Sequence, residues 1–174
     1  MYMHLSEPRT KNVDETKLRE IARACACAHL RKAARTVTQV FDEALRSSGL
    51  RATQFTLLVT SRLAGETPVR ELAERMVMGR TTLSRNLKPL MRKGLMEVRP
   101  GEDGRMRLVR ITPEGERTLG KAYPLWERAQ HEVVGALGED HYEALLGDVA
   151  RAISLVAEGS HEALGGPAKG NPQT

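Results

Sequence analysis

Between Leu50 and Ile111 the chain is cut by Gly, Pro and hydroxyl residues into pieces too short for anything but small helices and a hairpin. Leu50–Leu63 carries Phe55, Leu58, Val59 and Leu63 at helical spacing, and this set is the expected buried stripe of one helix. Thr67-Pro68 then offers an N-cap followed by Pro at the first helical position. A short helix over Val69–Val77 is predicted to bury Leu72, Ala73 and Met76. Met78-Gly79 breaks the chain before a third helix, Arg80–Lys93, which Gly94 terminates. Leu95–Arg99 and Arg107–Ile111 are apolar and β-branched, and Pro100-Gly101-Glu102-Asp103-Gly104 between them is turn chemistry, so they predict a two-stranded hairpin.

Longer helical patterns flank this unit. Glu15–Ser47 contains no Gly or Pro, and Leu18, Ile21, Cys25, His29, Ala33, Val37, Val40 and Ala44 recur at steps of three and four, predicting one long helix. Ser47-Ser48-Gly49 ends it. Thr112-Pro113-Glu114-Gly115 opens another helix reaching Leu137, with Pro124 expected to bend it, and a last helix is expected over Glu139–Glu158. The fold class is mainly α with a small β-wing. A winged helix-turn-helix domain is expected at 49–112, and a helical dimerisation domain at 15–48 and 113–158. Residues 1–14 read as a flexible arm and 159–174, rich in Gly and Pro, as a disordered tail. No apolar run approaches the ~18 residues of a membrane span, and the N-terminus lacks a secretory pattern. Two cysteines do not make a disulfide scaffold, and the expected compartment is the cytoplasm, with no membrane partner.

Charge narrows the partner. The net charge is +5, but its distribution says more than its sum. Between Gly79 and Ile111 nine basic residues (Arg80, Arg85, Lys88, Arg92, Lys93, Arg99, Arg105, Arg107, Arg110) face three acidic ones, whereas the remainder of the chain is nearly balanced. Such a concentration is the footprint of a phosphate-facing surface. Two Phe, three Tyr and one Trp, scattered along the chain, are too few for a base-stacking platform, so double-stranded DNA is the expected partner. In Arg80–Lys93, Leu83, Leu87 and Leu90 share one face; Thr81, Arg85, Lys88 and Arg92 share the other, with Thr82 and Ser84 on its flanks. Apolar residues would fix such a helix, and Arg and hydroxyls in its first half would meet base edges. Pro89 removes the bond to the Arg85 carbonyl, which predicts a local bend. Arg105, at the hairpin tip Asp103-Gly104-Arg105, is placed to enter a minor groove.

Three runs together resemble the MarR family of bacterial transcription regulators: Gln54-Phe55-Thr56-Leu57-Leu58, Val69-Arg70-Glu71-Leu72-Ala73-Glu74-Arg75 and Arg80-Thr81-Thr82-Leu83-Ser84-Arg85-Asn86-Leu87. Asp103-Gly104-Arg105 and Ile111-Thr112-Pro113-Glu114-Gly115 match that family's wing and the start of its following helix, and Gly79 departs from it where a capping residue is usual. The resemblance implies a homodimer on pseudo-palindromic DNA, released by a small-molecule effector or an oxidant. It places Arg80, Thr81, Thr82, Ser84, Arg85, Lys88 and Arg105 at the DNA. It also implies a ligand pocket between the first helix and the winged domain, with aromatic acids among its ligands and His29 as the candidate contact.

Cys25 and Cys27 are the redox candidates. On a continuous helix, residues two apart point about 200° away from each other, so the pair would neither close a disulfide nor chelate one ion. Cys25 and His29 are spaced for two corners of a metal site, but nothing nearby completes one, and no metal or cofactor is expected. Phosphate-loop, nucleophile-elbow, His-Glu-x-x-His and Cys-x-x-Cys patterns are all missing, and the five His are dispersed, so the chain does not read as an enzyme. The reading is a homodimeric DNA-binding regulator acting as a repressor. A cysteine-based redox regulator is the alternative within that class, and a dimeric protein-interaction module without DNA binding is the alternative from another class.

Overall fold

The computed structural model describes residues 14–102, 104 and 106–164, with side chains through 155. Asp103, Arg105, residues 1–13 of the expected arm and residues 165–174 of the expected tail lie outside the described residues.

The elements are α1 (Glu15–Ala24), α2 (Ala26–Leu45), a 3-10 turn (Arg46–Ser48), α3 (Ala52–Ala64), β1 (Thr67–Pro68), α4 (Val69–Arg75), α5 (Arg80–Arg92), β2 (Met96–Pro100), β3 (Arg107–Ile111), α6 (Pro113–Leu137) and α7 (Glu139–Leu164). Thr112 caps α6 as its residue type predicts, its hydroxyl accepting from Gly115 N at 3.0 Å. The same hydroxyl donates to the Gly94 carbonyl at 2.6 Å, tying the link between α5 and β2 to the start of α6. Gly115 is required here: a Cβ would stand 2.1 Å from the Leu95 carbonyl oxygen.

The core belongs to the winged unit. Leu57, Leu58, Leu72, Leu83, Leu90 and Val109 are fully buried, and Leu45 from α2 and Ala122 from α6 join the same cluster. The sheet has the order β1-β3-β2 and is antiparallel throughout. Met96 stands opposite Ile111, and Val98 opposite Val109.

Five expectations are corrected. The long N-terminal helix is two helices, because Cys25 leaves helical geometry (ψ 101°). It ends α1 by donating to the Ile21 carbonyl and starts α2 by accepting from His29 N at 3.1 Å. Nothing in Ala24-Cys25-Ala26-Cys27-Ala28 belongs to the buried core, and His29 Nδ1, 3.0 Å from the same Cys25 carbonyl, supplies a second partner there. Thr67 is not a cap but a strand residue, buried opposite Val109; Pro68, with no N–H to donate, sits on the sheet edge and precedes α4. α3 buries Phe55, Leu57, Leu58 and Ser61 and leaves Leu63 at the surface, because α5, α6 and β3 all pack against it and widen its buried arc. Met76 is half-buried rather than buried. α7 continues past Gly159 to Leu164, so the first part of the expected tail is helical; a lone Gly costs a helix only about 1 kcal/mol against Ala.

Candidate nucleic-acid interface

α4 and α5 form the helix-turn-helix. Val77, between them, has φ 50° although it is β-branched, a conformation that turns the chain from α4 toward α5. Gly79 precedes α5 with extended backbone and supplies no side-chain cap. Leu83, Leu87 and Leu90 anchor α5 in the core, as the spacing predicts, and Pro89 lies within the helix without ending it. That anchoring leaves Arg80, Thr81, Thr82, Ser84, Arg85, Lys88 and Arg92 exposed along the opposite face.

The electrostatics separate this face from its surroundings. Several arginines elsewhere are neutralised: Arg70 by Glu74, Arg75 by Glu71, Arg62 by Glu116 and Arg117 by Glu114. At the base of the wing, Arg99 grips Glu66 with Nε at 2.6 Å, and Arg110 pairs with Glu97. The Arg99 bond, then the nearby charges of Arg99 and Arg110, hold the Glu66 carboxyl below its ordinary value. By contrast, no acidic side chain among the described residues pairs with Arg80, Arg85, Lys88 or Arg92. A cation that would otherwise attract a carboxylate is left free for another anion.

The wing stands beside α5. Gly101 N donates to the Met106 carbonyl at 2.8 Å, and Gly104 N donates to the Gly101 carbonyl at 2.9 Å, closing the turn. Gly104 has φ 66°, which favours glycine. Arg107, at the start of β3, lines one groove with Ser84 and Lys88 of α5. The sequence counts Arg107 in the basic stretch but does not single it out as a DNA contact; its place at the first strand residue after the turn puts it there.

The cysteines and His29 lie far along the other part of the chain. Cys25 is half-buried at the joint between α1 and α2, Cys27 is exposed, and the exposed His29 ring bonds the Cys25 backbone rather than its sulfur. Among the described residues no three His, Cys, Asp or Glu side chains gather as metal ligands. The aromatic residues are not scattered in space. Trp126 stacks with Phe41, Phe55 and Tyr123 at centroid distances of 6.4, 6.0 and 6.0 Å. They line two adjoining cavities of about 350 and 160 Å³ between α2, α3 and α6. His29 does not line either cavity. No described helix is long and apolar enough to cross a membrane.

A helix-turn-helix with a following β-wing, presenting an unneutralised cationic face on its second helix, defines a DNA-binding transcriptional regulator. The MarR family model matches residues 50–106. The transcriptional regulator MosR of M. tuberculosis, solved in complex with DNA, is 41% identical, spanning 74% of this chain and 98% of that one, with a TM-score of 0.63. A MarR variant from E. coli complexed with operator DNA shares the fold (TM-score 0.69) at 21% identity, over 76% of this chain and 96% of that one. The HTH-type transcriptional regulator YwoH of Bacillus subtilis is 25% identical over 66% of this chain and 84% of its own length. The chain belongs to the MarR family.

Proposed function

We propose that the chain works as a homodimeric repressor on a pseudo-palindromic operator, with Arg80, Thr81, Thr82, Ser84, Arg85 and Lys88 of α5 meeting the major groove and Arg105 of the wing the adjacent minor groove. The observation that carries this reading is the row of exposed α5 cations without acidic partners among the described residues. Arg80 and Arg85 near the helix start would meet base edges and phosphate, and Lys88 would meet phosphate. Twofold symmetry would set the two α5 helices about 34 Å apart, one DNA turn. Support for a second copy comes from α1, α2 and α7. Leu18, Ile21, Leu30, Leu145, Leu146 and Ile153 are all exposed in a single chain, the kind of apolar surface that a partner would cover. A small-molecule effector held between the helical frame and the winged core would change the spacing of the two α5 helices. Differential binding of a few kcal/mol would empty the operator. Selecting bound duplexes from a random pool, followed by footprinting and a reconstituted transcription assay, tests the reading. A twofold-symmetric site with half-sites one turn apart, and reduced transcription from a promoter that contains it, are expected. Failure to hold any duplex at low salt would leave the interaction module standing instead.

A second reading, cysteine-based redox control, is favoured by the joint at Cys25. Because Cys25 is non-helical, the angular argument against pairing it with Cys27 does not apply. One thiolate would attack a hydroperoxide, breaking the O–O bond and releasing an alcohol; the second thiolate would displace water from the sulfenic acid to form the disulfide. A peroxide response of DNA binding that survives in the double variant Cys25→Ser, Cys27→Ser would remove this reading.

A further inference from the structure

Four of the six aromatic side chains of the chain (Phe41, Phe55, Tyr123 and Trp126) converge from three helices on one trough. The two cavities share Phe55, Thr56 and Trp126 as walls, and Val37, Thr38, Phe41, Ala52, Val59 and Tyr123 complete them. None of these side chains carries a charge. The Thr56 hydroxyl is already used, donating to the Ala52 carbonyl at 3.0 Å. The ionised group tied to the rim is an acid: Glu127 accepts from the Tyr123 hydroxyl at 3.0 Å. That bond holds the Tyr123 phenol above its ordinary value, so it stays protonated and does not itself become an anion.

These facts fix the sign of what fits. A carboxylate seated in the trough would lose water without gaining a cation, which is costly. An organic cation would instead be attracted by the aromatic rings that line the trough and by the Glu127 carboxylate bonded to Tyr123. We infer that the trough between α2, α3 and α6 binds a flat aromatic molecule bearing a positive charge, and discriminates against the aromatic acids that the family resemblance implies. This inference rests on the proposed effector reading and gives its ligand class.

Three probes of one shape and different charge test it on the full-length protein without DNA: 2-(aminomethyl)naphthalene as the ammonium, 2-naphthalenemethanol and 2-naphthoate. Binding is measured by isothermal titration at neutral pH. The ammonium is expected to bind at least tenfold more tightly than the naphthoate, with the alcohol between them. Glu127→Gln should narrow the gap between ammonium and alcohol several-fold. Thr56→Lys places a cation in the trough from an exposed helix position and should invert the order, making naphthoate the tightest. Trp126→Leu should weaken all three. If that variant does not fold, the lysine variant still decides the matter. Naphthoate binding to the natural chain as tightly as the ammonium, no binding of any probe, or an unchanged order in Thr56→Lys overturns the inference. Duplex affinity of the same preparation is measured in parallel; its loss would refute the regulator reading itself, while retained affinity with failed probe selectivity refutes only the ligand class.

Discussion

The winged core and the helical frame are built on opposite terms. In the core, leucines from α3, α4 and α5 are buried within one chain, and the arginines at the base of the wing are matched by acids. In the frame, α1 buries nothing, α2 buries only Leu45, and the described part of α7 leaves Leu145, Leu146, Ile153 and Leu155 bare. One region completes itself; the other presents an apolar surface that a single chain does not cover. The charges differ as well: arginines at the base of the wing are paired with acids, whereas the α5 cations have no acidic partner among the described residues. A protein that spends burial on holding α5 rigid and leaves its frame uncovered is organised around positioning that helix.

Substitutions in each region break the comparison in different ways. The largest effect is expected at Leu58→Ala, where deletion of a fully buried side chain should cost about 3–5 kcal/mol in denaturant unfolding, whatever the protein concentration. Leu146→Asp, in the frame, should leave the core's unfolding cooperative but shift the protein toward monomer in sedimentation. Operator affinity should then fall by roughly 100-fold or more, because two linked heads become one. Arg85→Ala should cost about 1–3 kcal/mol of DNA affinity and relax base preference, while Lys88→Ala should weaken all sequences alike. Smaller still is Val77→Asn. Asn tolerates the positive φ better than a β-branched residue, so a gain of about 0.5–1 kcal/mol in thermal unfolding is expected. The finest test concerns the wing's base. The Glu66 carboxyl is held below its ordinary value near 4.5, so its contribution is present above that pH and lost as pH falls below it. Glu66→Gln should therefore lower stability modestly at neutral pH, and its difference from the natural chain should shrink as pH falls through the acid limb.

What was legible in the sequence was local. The ends of α5 and α6 are written in Gly94, Thr112, Pro113 and Gly138, and the apolar face of α5 in Leu83, Leu87 and Leu90. The exposed cationic face follows directly from that spacing. What was not legible depends on contacts distant in sequence. The two residues of β1 are a strand only because Val109 and Leu108 lie beside them. The α3 stripe shifted from Leu63 to Leu57 because neighbours cover a third side of that helix. The break at Cys25 has no Gly or Pro to announce it. The aromatic trough could not be read from counts; only Tyr123 and Trp126, three apart on one helix, hinted at it.

The central claim is that the unpaired cations of α5 grip DNA backbone and bases. The most direct measurement is the salt dependence of duplex affinity for the natural chain and for the triple variant Arg80→Ala, Arg85→Ala, Lys88→Ala. The natural chain should show a steep linear fall of log affinity with log salt, and the triple variant a slope shallower by about 3 per subunit. Equal slopes, or affinity indifferent to salt, would contradict the account.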